Sequence, residues 1–591
     1  MSRLLSRPER AIQHPERDRS RFGSNLVTRA RRTPPDGVLA PSIRERLDNV
    51  AGQQEWVWLF VLWAIVTAYN LLKPYHIDDT AHLEIARWIS THPLHPMSGL
   101  LYWDGVQKPI YELNQPHLYF YVLALWGAMF GYGEAAMHAL QSLAALACIL
   151  LFHQLARAFL GPAALWATAM LVLGPAFIVE QNLMLDVPLV AAWLGFFNPL
   201  ITDINSPHQN RRYGLAALAC AVALLIKYSS LILLVILCLS LLLERRNRQA
   251  WTVLIPLAAL AAWSLFNFLD YGGVHIAARD ASYSNGWLLQ LQEAVAWVVA
   301  LGALTPLGLI VVIYSRQELV RAERAIYGAV FVGFAAMIAA VGWGVLSTRW
   351  SDRLLWAVFL ANGAVIYLAL IPHALGLAQS RAWRPEVARA LGATIYLVFW
   401  ALGTTAFYIR FAHFIAARHV LLILPALTLL LASRWRNSLT RRARDFALAL
   451  TVIVSAGLCV SDWRFAEFYK VEAAKLAQSL STAGTLWASG HWGWQWYATQ
   501  NGLRAVDARA SHLQAGDFLV VADDIDHRHL SAAPPMRLVR TDTQSRPLLN
   551  LFCTGRRGRF YASYYKVGPW SVSPDCLNHL SVFRVSNIWD K

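Results

Sequence analysis

The feature that most limits what this chain can become is the recurrence of apolar stretches, about 15 to 25 residues each, separated by short polar segments. A helix needs about 20 apolar residues to cross a bilayer's hydrocarbon core, where every backbone N–H and C=O must be paired within the segment. Residues 56–73, 135–156, 163–180, 187–203, 251–268, 289–313, 326–346, 354–376, 389–409, 420–434 and 446–460 meet or approach that length. The stretch 213–243 is interrupted at Lys227-Tyr228-Ser229-Ser230 and reads as a tight pair of short helices. The expectation is a polytopic α-helical membrane protein of about thirteen transmembrane helices. With 57% hydrophobic and 15% charged residues in a chain of 591, the soluble multidomain, disordered, collagen-like and coiled-coil classes are excluded.

A net charge of +16 would suggest nucleic acid in a soluble chain. Here the basic residues sit in short segments between apolar runs, the pattern of cytoplasmic loops, so no nucleic-acid partner is expected. The first fifty residues hold eleven Arg, no Lys and six acids, and lack the apolar region of a signal peptide. Residues 1–50 are therefore read as a basic, disordered cytoplasmic tail, 51–462 as the membrane domain, and 463–591 as a small α/β extracytoplasmic domain. The last contains β-like runs at 518–521 and 580–585. Leu118–Gly131 is too short to span and is assigned to a half-buried helix inside the first external loop, 74–134. The expected location is the plasma (inner) membrane, with the N-terminus cytoplasmic and the C-terminal domain periplasmic.

Chemistry concentrates in His76-Ile77-Asp78-Asp79-Thr80-Ala81-His82-Leu83-Glu84-Ile85-Ala86-Arg87-Trp88. Adjacent carboxylates at a helix start can serve as an N-cap, or one of them can serve as a general base. Lys227, Arg418 and His419 are cations placed on the external side, against the usual charge bias, where they could face an anion. Asp186 opens an apolar helix. Asp78, Asp79, His76, His82, His92 and His95 make a ligand-rich loop, but no fixed two-His spacing on one helix face supports a metal site, and no cofactor is expected. Gly490-His491-Trp492-Gly493-Trp494-Gln495-Trp496-Tyr497 suits either packing or sugar stacking. Cys553 and Cys576, the only cysteines in polar sequence, are candidates for a disulfide on the oxidising side.

These segments, in their order and sidedness, resemble the GT-C membrane glycosyltransferases, in particular the dolichyl-phosphate-mannose protein mannosyltransferases and the lipid A aminoarabinose transferases. The acidic pair Asp78-Asp79 followed by Glu84-Ile85-Ala86-Arg87 is similar to that family's first external loop. Asn114-Gln115-Pro116-His117-Leu118-Tyr119-Phe120-Tyr121 is similar to its Pro-Pro-Leu-Tyr-Tyr stretch, and Gln181 to Leu189 to its second loop, where an acid precedes Pro-Leu. Leu224-Leu225-Ile226-Lys227-Tyr228 is similar to its Leu-Thr-Lys-Gly element, and Arg418 to Pro425 to its Arg-Tyr-x-Leu-Pro element. Departures are Asp79 where Glu is usual, His82 at an aromatic position, His117 for the second Pro, and Asn114 where Lys is frequent, with Lys108 upstream. The resemblance implies inverting transfer of a sugar from a polyprenyl-phosphate donor to a lipid, glycan or protein acceptor, among membrane lipids and without a metal. It implies Asp78 as base with Asp79 beside it, and a cavity including Asp186. Lys227, with Arg418 and His419, is assigned to the donor phosphate, and His82, Glu84, Lys108 and Tyr119 to the cavity and acceptor. The competing reading is a transporter or flippase for a lipid-linked glycan, which would be expected to carry ionisable groups near the bilayer midplane.

Overall fold

The computed structural model describes residues 43–586, apart from 104, 113–114, 279–285, 306–328, parts of 330–347, 380–384, 413, 435–439, 481–483, 526–534, 546–551, 556–559, 563–565 and 574–575. Most of the basic tail, Asn114 and much of the span expected at 326–346 lie outside the described residues. The chain divides into residues up to Gln54 and a second unit, Glu55–Lys591, which holds everything discussed below.

Helix α1 covers Ile43–Asn70 and α2 Asp79–Thr91, and a hairpin of β1 (Leu100–Trp103) and β2 (Val106–Pro109) follows. The short helix expected from length is α3, Leu118–Phe130, closed by Gly131 at φ 84°, a conformation that favours glycine. Helix α4 (Glu134–Leu160) runs through a single 3₁₀ turn into α5, Ala164–Val172. The apolar run expected to continue to residue 180 as one span instead breaks at Gly174-Pro175, leaving a one-turn α6, Pro175–Ile178. A proline removes a backbone donor and disfavours helix in the residue before it. Helix α7 is Asp186–Thr202. The pair expected at 213–243 is α8 (Gln209–Ile226) and α9 (Leu231–Leu243), with Lys227 extended at the break (φ −155°, ψ 130°). Then come α10 (Leu254–Tyr271) and α11 (Trp287–Leu304) and helices at Thr348–Gln379, Pro385–Phe411, Ala417–Leu421, Leu424–Arg434 and Arg441–Leu480.

Among the described residues, six helices rather than thirteen are long and apolar enough to cross a membrane. At about 1.5 Å per residue, helices such as α7 and Leu424–Arg434 fall short of a hydrocarbon core about 30 Å thick. The helix Arg441–Leu480 runs 40 residues and passes without a break through position 462, where the composition changes. Beyond it, β3 (Leu486–Ser489), β4 (Arg504–Ala505), β5 (Phe518–Ala522), β6 (Met536–Thr543) and β9 (His579–Val585) form one sheet in the order β4-β3-β5-β9-β6. β4, β3 and β5 are parallel, whereas β9 pairs antiparallel with β5 and β6. A small ribbon of β7 (Phe552–Cys553) and β8 (Ser571–Val572) lies alongside in sequence, and Cys553 is disulfide-bonded to Cys576.

Two kinds of contact hold the helices together. Small residues permit close approach: a Cβ on Gly302 would lie 1.9 Å from the Phe359 carbonyl oxygen, and one on Gly363 1.9 Å from that of Val298, so α11 and Thr348–Gln379 touch backbone to backbone. Asn362 Nδ2 fastens this crossing by donating to the carbonyls of Gly302 (2.7 Å) and Thr305 (3.1 Å). Elsewhere aromatics fill the core, with Phe197 stacked on Trp400 at 4.1 Å and 2°. The fully buried Arg212 of α8 meets Glu244, just after α9, through two bonds of 2.5 and 2.7 Å, and it also donates to Leu200 O at 2.6 Å. Tyr396 donates to the same carboxylate. Removing one partner strands a buried charge, so Arg212→Ala is expected to destabilise the protein by about 3–5 kcal/mol. Thermal unfolding of the purified protein in detergent would show this as a markedly lower midpoint than wild type.

Candidate active site

The loop between α6 and α7, residues 179–185, is the joint on which the site is assembled. Its Leu183 N–H donates to Asp79 Oδ1 at 2.7 Å, and its Leu183 carbonyl meets His82 Nδ1 at 2.8 Å. Gln141 of α4 donates to Met184 O (3.1 Å), and Lys73 Nζ donates to Val179 O (3.1 Å). The first polar loop, α4 and the end of α1 are thus all fixed to one short segment.

The adjacent carboxylates have different surroundings. Asp79 is fully buried and accepts two backbone donors, Leu183 N and His76 N (2.8 Å). Burial pushes its carboxyl up to about 7, against the pull of those donors and of Lys73. Asp78 stands at the N-cap of α2 but makes no side-chain cap bond, and its side chain remains 24% exposed. It is presented by Ile77, a β-branched residue at φ 52°. Such a residue rarely occupies the left-handed region, at a cost of about 1–3 kcal/mol, and conformations of this kind concentrate where a site must be held.

Arg418, at the start of the helix Ala417–Leu421 with its side chain 11% exposed, faces Asp78 Oδ2 at 3.6 Å and Asp186 Oδ2 at 4.0 Å. Lys227 Nζ donates to Asp186 Oδ1 at 2.8 Å. Asp78, Asp186, Lys227 and Arg418 therefore form a continuous chain of charges drawn from four separate segments. His82 lies beside it in a hydrogen bond to the backbone. His419 is also adjacent: its Nδ1 accepts from Ala416 N (3.3 Å), its ring stacks on Tyr408 at 4.6 Å, and burial holds its imidazole well below the usual range.

Other expected residues turn elsewhere. Glu84 accepts from Gln495 Nε2 at 3.0 Å, and burial raises its carboxyl to about 7. Tyr119 donates to Gln141 Oε1 at 2.7 Å. Lys108 lies half-buried on β2, in register with Leu101. His95 binds Asp270 (3.1 Å) and His92 stacks on Trp88 (3.7 Å). Among the described residues, no group of three His, Cys, Asp or Glu is placed to hold a metal. The aromatic run at 490–497 is packed inward: Trp494 is fully buried, and a Cβ on Gly493 would lie 2.2 Å from Tyr75 O.

A second buried cluster was not foreseen. Lys73 Nζ meets Asp462 Oδ2 at 2.5 Å, and His76 Nε2 lies 3.6 Å from Asp462 Oδ1. Tyr561, from the segment between the disulfide cysteines, donates to Asp462 Oδ1 (2.8 Å), accepts from Asn182 Nδ2 (3.0 Å) and offers its carbonyl to Arg418 at 3.5 Å. The available signal was a charged residue at each of two apolar helix ends, since such residues normally have partners.

These environments separate the two acids. Asp79→Ala leaves two buried N–H groups unpaired and is expected to destabilise the protein by about 1–3 kcal/mol, whereas Asp78→Asn, which keeps the side chain's shape and leaves Arg418 paired with Asp186, is expected to cost less. Parallel thermal melts of the two variants in detergent check this, and equal losses would count against it.

Residues 114–268, about a quarter of the chain, match the family model described as dolichyl-phosphate-mannose-protein mannosyltransferase. The matched stretch contains Glu180, Asn182, Asp186 and Lys227. No curated protein matches the chain by sequence. Among solved structures, similarity is found to ArnT from Cupriavidus metallidurans bound to undecaprenyl phosphate, at 15% identity and TM-score 0.40, covering 82% of this chain and 95% of that one. Archaeal oligosaccharyltransferase AglB from Archaeoglobus fulgidus, in complex with an inhibitory peptide and a dolichol-phosphate, is similar at 13% identity and TM-score 0.41, covering 77% and 64%. At those scores the structural likenesses are too distant to support any argument about the site. The family match over residues 114–268 bears out the resemblance, read from the sequence, to the GT-C membrane glycosyltransferases.

Proposed function

We propose that the chain is an inverting glycosyltransferase that moves one sugar from a polyprenyl-phosphate carrier to a lipid, glycan or protein acceptor at the outer face of the plasma (inner) membrane. The single observation that carries this reading is the state of Asp78: a carboxylate that makes no side-chain cap bond, partly open, and held 3.6 Å from the Arg418 guanidinium. In the proposed step the acceptor oxygen bonds to the anomeric carbon as the bond from that carbon to the phosphate oxygen breaks. The acceptor proton passes to Asp78, and the carrier leaves as its phosphate.

The leaving phosphate gains negative charge as the bond breaks. Lys227 and Arg418 would meet it, in surroundings where a fixed cation acts more strongly than in water. Asp186 and Asp78 hold both cations in place, Lys227 at 2.8 Å from Asp186 and Arg418 at 3.6 Å from Asp78 and 4.0 Å from Asp186. Preorganisation of this kind avoids reorganising the site during the reaction. The transporter reading is not favoured, because the matching family is one of transferases.

Turnover of a panel of labelled polyprenyl-phosphate sugars by the reconstituted chain tests the reaction. Asp78→Asn is expected to lower transfer by about 10²- to 10⁴-fold, the usual contribution of a general base. Near-normal turnover in that variant would remove Asp78 from the role. Lys227→Ala is expected to raise the donor KM and weaken binding of the carrier phosphate, and unchanged kinetics would leave the lysine a structural partner of Asp186.

A further inference from the structure

The loop that organises the site contains a carboxyl group the reaction above does not use. Glu180 is fully buried, and among the described residues neither of its carboxyl oxygens has a hydrogen-bond partner. Asn182, also fully buried, has its Oδ1 in the same condition. The orientation of that amide follows from its neighbour. Tyr561 spends its hydroxyl proton on Asp462, so it can only accept from Asn182, which places Nδ2 on the tyrosine and turns Oδ1 away.

The charged groups that face Glu180 are Arg418, Asp186, Asp462 and Lys73. The cations among them are already engaged, Arg418 with Asp78 and Asp186, and Lys73 with Asp462. Three acceptor oxygens, on residues 180 and 182 of one short loop, are therefore buried with no donor among the described residues to satisfy them. Folded proteins carry few such groups, because each forfeits its hydration without compensation. A ligand that relieves the deficit must bring hydrogen-bond donors. A phosphate, which brings only acceptors and negative charge, does not suit it, whereas the hydroxyl groups of a sugar do.

We propose that Glu180 and Asn182 form the subsite that recognises hydroxyl groups of the transferred sugar, a role that rests on the glycosyl-transfer reading above. The site then has two ends: Lys227 and Arg418 toward the carrier phosphate, and the acceptor oxygens of residues 180 and 182 toward the sugar. Because Glu180 has no hydrogen-bond partner among the described residues, replacing it breaks no hydrogen bond there. Glu180→Leu, an apolar side chain of similar size, is expected to raise the thermal midpoint, as removal of a functional but unsatisfied group commonly does.

The test compares binding of bare undecaprenyl phosphate with binding of undecaprenyl phosphate linked to mannose, glucose or arabinose, using the full chain in lipid nanodiscs. Wild type is expected to hold at least one sugar-linked carrier more tightly than the bare one. Glu180→Leu is expected to lose about tenfold or more of that preference while binding the bare carrier as wild type does, and Glu180→Gln, which keeps an acceptor, to retain part of it. An unchanged preference in Glu180→Leu, or an equal weakening toward bare and sugar-linked carriers, overturns the subsite and shows that water alone satisfies these oxygens or that the residue is structural. Wild type that binds neither form overturns the polyprenyl-phosphate reading itself, and the subsite with it.

Discussion

The arrangement of charges at the polar end of this molecule depends on how one largely enclosed guanidinium is neutralised. Arg418 is always ionised and almost wholly enclosed, and an unpaired charge in such a place costs several kcal/mol. Its compensation comes from Asp78, just after the first apolar helix, and from Asp186, at the head of α7. Asp186 in turn holds Lys227, whose helix pair breaks where the lysine stands. Buried ion pairs of this sort add little net stability, but they tolerate few alternative arrangements, since moving any member exposes the others to an uncompensated field. The strained backbone at Ile77 fits that picture: the local cost is sustained because the residues on either side are held elsewhere.

The loop at 179–185 converts this electrostatic requirement into a rigid site. Its backbone is committed to Lys73, Asp79 and His82, and its side chains reach Phe177 through Gln181 and Tyr561 through Asn182. Tyr561 comes from a segment far along the chain, bounded by Cys553 and Cys576, so the C-terminal part of the molecule completes the wall of the site. What such a wall leaves unsatisfied is as informative as what it satisfies. The cations are paired and oriented, while the acceptors on residues 180 and 182 are not.

Much of the architecture was legible from length and spacing alone. Leu118–Phe130 is a short helix because its apolar run is short, and α8 and α9 separate where four polar or aromatic residues interrupt a long one. The strands at 518–522 and 579–585 follow the β-like runs at 518–521 and 580–585. The expected span at 163–180 did not survive, because Gly174-Pro175 breaks the helix, and a composition change at 462 gave no sign that Arg441–Leu480 continues past it. Hydropathy counts apolar residues, whereas a helix ends where its backbone bonds fail or its packing changes.

In the site, the same distinction holds residue by residue. The acidic pair, Asp186, Lys227 and Arg418 could each be picked out by residue type and position, because charged groups beside apolar helices need a reason to be there. Their division of labour could not. Asp78 and Asp79 are neighbours of the same chemistry, and only the folded chain shows that one accepts Leu183 N and His76 N while the other faces Arg418. Only the folded chain shows that Asp462 meets Lys73, that Glu84 accepts from Gln495 and that Tyr119 donates to Gln141. The sequence by itself determined which charges must be buried at one end of an apolar bundle. Tertiary structure alone decided which were paired and which were left open, because pairing depends on distances between segments that the order of residues does not specify.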